Sequence, residues 1–149
     1  MGAEPYYYLV PYQADINAAL RTLRQREFEA GRYNPVMPFP SRFLPLGPDS
    51  PSPGRRHDSI EEALEDSDAD GTRSILDIER VSDTSGLGAA TRLPDETVRR
   101  LYGTLQPSRG QVEDAMDFLD DIERGQAIYL VLFDGERPSE IMFAGYSYD

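Results

Sequence analysis

The sequence predicts a single α+β domain spanning residues 1–149, with a sheet of about four strands, mostly antiparallel, and helices packed on at least one face. Three observations carry this. Residues 127–148, AIYLVLFDGERPSEIMFAGYSY, are the only long apolar, β-branched and aromatic passage in the chain, which is the composition of a β-hairpin. Two helical patterns with capping signals lie outside it, at residues 15–30 and 108–124. The order strand, helix, proline loop, short helix, strand, two helices, strand, strand shows no internal repeat and no boundary, and 149 residues suffice for one core.

In the first half of the hairpin both alternating sets are apolar: Ile128, Leu130 and Leu132 on one side, Ala127, Tyr129, Val131 and Phe133 on the other. A strand apolar on both faces is covered on both, so this one is expected in the middle of the sheet. A two-residue turn at Asp134-Gly135 would place Pro138 inside the ladder, so a longer loop over residues 134–139 is expected, pairing Phe133 near Glu140. YYYLV at residues 6–10 reads as a first strand that joins the hairpin, ended by Pro11, which has no amide hydrogen.

From an N-cap at Asp15, Ile16, Ala19, Leu20 and Leu23 share one helical stripe that Gly31 ends. Glu27 falls where that stripe should continue and is expected at its solvated end. Seven prolines between Asn34 and Gly54 exclude a helix or central strand, so residues 34–57 form a proline-rich loop, packed in its first half and mobile at PDSPSPGRR. Ser59 and Glu62 form a capping box for a short helix over residues 60–65. SILDIERV, residues 74–81, reads as a half-covered edge strand. Residues 82–92, small and aperiodic, are expected to be a flexible connection. Leu93-Pro94 opens a helix that Gly103 stops. The last helix has a capping box at Ser108 and Gln111 and a stop at Gly125. Val112, Ala115, Met116, Phe118, Leu119 and Ile122 line one arc, and Glu113, Asp114, Asp117, Asp120 and Asp121 line another.

Composition narrows the function classes. The net charge of −12 argues against nucleic acid, whose affinity comes from neutralising cations, and favours a basic protein partner. Zero cysteines exclude a disulfide framework, a thiol nucleophile and Cys-type zinc sites. No run approaches the ~20 apolar residues of a membrane span, and MGAEPYYY lacks the regions of a signal peptide; a soluble, cytoplasmic protein is expected. All fifteen basic residues are Arg, a bias that points to GC-rich, bacterial coding.

Two candidate sites follow. The exposed strip Glu113, Asp114, Asp117, Asp120 and Asp121 opposes helix stability, because like charges four residues apart repel and Asp120, Asp121 and Glu123 crowd the negative end of the macrodipole. Such a surface suits a binding site for a basic protein. The second site is Asp66, Asp68, Asp70, the Thr72 carbonyl and Asp77, with Gly71 at the sixth position, a spacing that resembles the calcium loop of EF-hand proteins. That resemblance implies bound Ca2+; an acidic turn after a helix accounts for the same letters. The loop departs from the family at position 8 (Arg73, where an apolar residue stands), at position 12 (Asp rather than Glu) and in an exit that reads as strand. His57 is the only histidine and, with Glu27, the group a small hydrolase would use, but no acid/base pair is identifiable and no GxGxxG, GxxxxGK[ST] or GxSxG is present. In size, acidity and lack of a catalytic motif the chain is similar to the bacterial immunity and antitoxin proteins that cap basic toxins, a likeness of class that no residue motif carries. The expected function is therefore a non-enzymatic interaction module, with a calcium-binding protein and a small hydrolase as alternatives.

Overall fold

A computed structural model describes residues 3–37 and 49–148. The centre of the proline-rich loop, residues 38–48, lies outside the described residues. The chain is α+β, and its sheet has five strands among the described residues: β1 (Pro5–Pro11), β2 (Arg80–Val81), β3 (Ala89–Arg92), β4 (Ala127–Asp134) and β5 (Arg137–Tyr146), in the order β1-β5-β4-β3-β2. β1, β5 and β4 are antiparallel neighbours, whereas β4-β3 and β3-β2 are parallel. The sheet is thus mixed, with one more strand than expected.

β4 is central, as its double alternation requires. Ile128, Leu130 and Leu132 enter one core with Val98, Val112, Phe118 and Met142. Ala127, Tyr129 and Val131 enter the other, with Leu20, Leu23, Ile75 and Phe143. The first of these cores lies beneath α3 (Asp95–Tyr102) and α4 (Arg109–Asp114), the second beneath α1 (Ile16–Ala30). Helices therefore cover both faces. A third cluster, Phe28, Tyr33, Val36, Ala63 and Leu76, seats α2 (Ile60–Asp66) against the end of α1.

Four local expectations are corrected. The hairpin closes tightly: Asp134 faces Arg137 across Gly135 and Glu136, with Gly135 at φ +65 in the first central position, where a II′ turn requires a positive value. Pro138 does lie in the ladder, opposite Phe133, because a bulge after Leu132 absorbs it; the Ser139 hydroxyl donates to the Leu132 carbonyl at 3.2 Å, and the Phe133 amide donates to the Pro107 carbonyl at 2.9 Å. Residues 74–81 begin with a 3₁₀ turn, Ile75–Asp77, nucleated by the Ser74 hydroxyl accepting from the Leu76 amide, and only Arg80–Val81 remain as edge strand. The connection at residues 82–92 contains β3, whose small Ala89 and Ala90 are buried under the helices.

The fourth correction concerns the last helix. α4 starts on a complete Ser108–Gln111 capping box but ends at Asp114. Ala115 leaves helical space (φ −146, ψ 84), its carbonyl accepts from the Tyr102 hydroxyl at 2.6 Å, and the chain resumes as a 3₁₀ turn, Asp117–Asp121. The Tyr102 hydroxyl holds the Ala115 carbonyl in this non-helical geometry, and the aspartates that follow have little propensity to carry an α-helix on.

Candidate acidic interface

The net charge is not spread over the surface. Residues 58–79 hold nine carboxylates and one arginine, a net −8, and residues 113–124 hold six and one, a net −5; all other positions together are +1 of the total of −12. Of the first segment's carboxylates only Asp77 is buried, and of the second's only Glu113 is part-buried; Asp114, Asp117, Asp120 and Asp121 are all exposed. Those four form no ion pair among the described residues. Glu113 differs, since its carboxylate accepts from the Tyr7 hydroxyl at 2.8 Å and from Arg109 Nε at 3.0 Å. It anchors α4 to β1, and burial with this hydrogen bond pushes the Tyr7 phenol up.

The dipole argument for the strip lapses with the helix, because α4 stops before Asp117, and acids in the first turn of a 3₁₀ helix sit at its favourable end. Exposure and lack of counter-ions persist.

The calcium-like loop is divided among other tasks. The Asp66 carboxylate lies 3.0 Å from His57 Nε2, the Thr72 carbonyl accepts from the Asn34 amide at 2.8 Å, and Asp68 and Asp70 are exposed. Asp77 is 5 % exposed; its Oδ1 accepts from both the amide and the hydroxyl of Thr72 at 2.8 Å, while its Oδ2 is buried without a hydrogen-bond partner. Desolvation raises the Asp77 pKa, against the lowering effect of the Thr72 bonds, the Arg73 backbone amide and the Arg24 charge. No group of three or more His, Asp or Glu among the described residues is arranged to hold a metal ion.

Sequence reasoning missed Tyr148. Its ring is wedged between Gly71 and Gly125: a Cβ on Gly71 would lie 2.8 Å from Tyr148 Cδ2, and one on Gly125, at φ +73, would collide with Cε1. Gly71 belongs to the −8 segment and Gly125 directly follows the −5 segment, so one half-exposed aromatic ring lies between Gly71 and the residue after Arg124. Burial, then the charges of Asp77 and Glu79, push its phenol up. Ser67, Asp68, Gly71, Asp77, Glu79 and Tyr148 line a pocket of about 360 Å³ here. No signal in the sequence connects Tyr148 to residues more than seventy positions earlier.

The two groups nominated for hydrolysis are occupied by structural contacts. Glu27 is fully buried rather than solvated: Arg32 donates to it twice, at 2.9 and 2.7 Å, and Arg26 Nε once, at 3.0 Å. His57 stands between the Tyr33 hydroxyl at Nδ1 (2.8 Å) and Asp66 at Nε2 (3.0 Å), an order of hydroxyl, imidazole and carboxylate that a triad would show. Tyr33 is 0 % exposed, however, and stacks on Phe28, so the row ties residues 55–57 to α1 and α2. A separate apolar cleft of about 290 Å³, lined by Tyr12, Ile16, Leu93, Val98, Tyr129 and Phe133 among others, contains the Arg92–Asp95 ion pair.

No family model, curated protein or solved structure matches this chain. No helix of the described residues is long and apolar enough to cross a membrane.

Proposed function

We propose that the chain is a non-enzymatic interaction module whose acidic surface engages a basic protein partner. The single observation that carries this reading is the confinement of the net charge to two segments, one containing and one directly preceding the glycines that flank Tyr148, with the remaining chain near neutrality. A protein kept soluble by acidity alone has no need to gather its charge, since solubility follows net charge and not its placement. Gathered charge focuses the field, speeds encounter with a partner of opposite sign and fixes orientation. Within the strip, Asp114, Asp117, Asp120 and Asp121 contribute through exposure, and Glu113 through holding α4 in place.

The test replaces Asp114, Asp117 and Asp121 together with Asn, then compares stability and the proteins captured from the native host. Stability should hold or rise, because surface substitutions of this kind shift it by about 0.5 kcal/mol or less. A basic partner retained at low salt and released at high salt should be lost from the variant. Identical captured sets for the two proteins would defeat the reading.

A further inference from the structure

We propose that the pocket beside Tyr148 is the receptor for one arginine side chain projected by the basic partner. This assignment rests on the reading of the acidic surface as a protein-binding one, and adds where and by what chemistry it binds. Asp77 is 5 % exposed, and only one of its carboxylate oxygens is used; Oδ2 has no partner and lies 2.9 Å from the Cβ position of Gly71, in the pocket wall. A buried carboxylate oxygen without a donor is costly, and an incoming cation that hydrogen-bonds to it removes that cost. Inside the chain the Arg24 charge acts on Asp77, but no hydrogen bond from Arg24 reaches the carboxylate, and Arg24 Nη2 donates to the Leu76 carbonyl at 2.8 Å.

The rest of the lining suits a guanidinium. Asp68 and Glu79, both exposed and outside any ion pair among the described residues, stand at the mouth. The Tyr148 ring, held on edge by the two glycines, supplies an aromatic surface on which a planar cation stacks. A guanidinium presents a fork of donors to a carboxylate while its plane lies on the ring; an ammonium offers no such plane. Arginine is therefore favoured over lysine. Pocket and field act together, as three carboxylates of the −8 segment, Asp68, Asp77 and Glu79, line it.

The experiment titrates the ¹⁵N-labelled full chain with hexa-arginine, hexa-lysine or Ca2+ alone, following backbone amides. Four variants are compared with the wild type: Asp77→Asn, Glu79→Gln, Tyr148→Leu and the triple replacement of Asp114, Asp117 and Asp121 by Asn. Asp77→Asn keeps the Oδ1 acceptor that Thr72 uses, and Glu79→Gln alters an exposed side chain, so folding is preserved in at least one pocket variant. Hexa-arginine is expected to shift the amides of Gly71, Asp77 and Glu79, to bind more tightly than hexa-lysine, and to lose about tenfold in affinity on Asp77→Asn or Tyr148→Leu. Shifts confined to residues 113–124, with affinity unchanged in the three pocket variants, would overturn the pocket while leaving the acidic module standing. Binding of neither peptide would overturn both. Ca2+ moving the same amides and displacing hexa-arginine at equal charge would overturn the arginine assignment in favour of a metal site.

Discussion

Replacing Arg32 with Ala should destabilise the chain by about 3 to 5 kcal/mol, the cost of leaving a buried charge without its partner. Glu27 is wholly removed from water and held by three charge-assisted hydrogen bonds, of which Arg32 supplies two. The third donor, Arg26, has a side chain 37 % exposed, so its attraction is weakened by solvent and cannot take over. Arg32 also donates to Ser52 at 2.9 Å, so its loss removes one of the ties between the far part of the proline-rich loop and the end of α1 and leaves the Gly54 amide on the Ala30 carbonyl at 3.0 Å. Against a total stability of about 5 to 15 kcal/mol the loss is large, and at about 2 to 4 °C per kcal/mol it lowers the melting temperature by roughly 6 to 20 °C. Urea denaturation followed by circular dichroism measures it directly. The double replacement Glu27→Leu with Arg32→Met removes both charges and should recover most of the loss, because an apolar pair of similar volume is often neutral relative to a buried ion pair. A change below about 1 kcal/mol for Arg32→Ala, or a double variant no more stable than the single one, would refute the claim that this pair closes the end of α1.

Three further outcomes follow from the same structure. Desolvation raises the Asp77 pKa in the folded chain, so the native state holds a proton that the unfolded state releases from about pH 4 upward; wild-type stability relative to Asp77→Asn should therefore fall as pH rises through that window, and urea melts in which it rises instead would mean the carboxylate is stabilised in the fold. Tyr102→Phe removes the hydroxyl that occupies the Ala115 carbonyl and should cost about 0.5 to 1.5 kcal/mol; no measurable cost would separate the helix break from this bond. Deleting residues 143–149 strips β4 and β1 of the end of the strand between them and should abolish cooperative unfolding, whereas a thermal transition near that of the full chain would contradict the central place given to β5.

What could be read in the sequence was local. The double alternation of residues 127–133 located the middle of the sheet, and Asp15, Ser59 and Ser108 each cap a helix through a side-chain oxygen, accepting from Ala18, Glu62 and Gln111. The Ser59 box is incomplete, since Glu62 reaches the amide of Asp58 instead. What could not be read depends on partners brought from elsewhere. β3 is four residues of which two are alanine, too small and short to show a period, and it exists because β4 offers it a parallel edge. The helical pattern at residues 108–124 holds only as far as Asp114, and the Tyr102 hydroxyl that meets the Ala115 carbonyl at the break comes from another helix. Glu27 looked like a frayed end because the Arg32 that buries it lies beyond the cap, where a helical wheel says nothing. For the candidate interface, the acids themselves were visible, whereas the ring between Gly71 and Gly125 and the unpartnered Asp77 oxygen emerge only once the C-terminal strand returns beside residues 66–79.

The central claim is that the two charged segments form an interface for a basic protein, and its most direct test is affinity capture from the native host at low and high salt. The wild-type chain is compared with the variant in which Asp114, Asp117 and Asp121 are Asn. A basic protein bound by the wild type, released by salt and absent from the variant is the predicted result. The same proteins retained by both chains, with the same salt dependence, would contradict it.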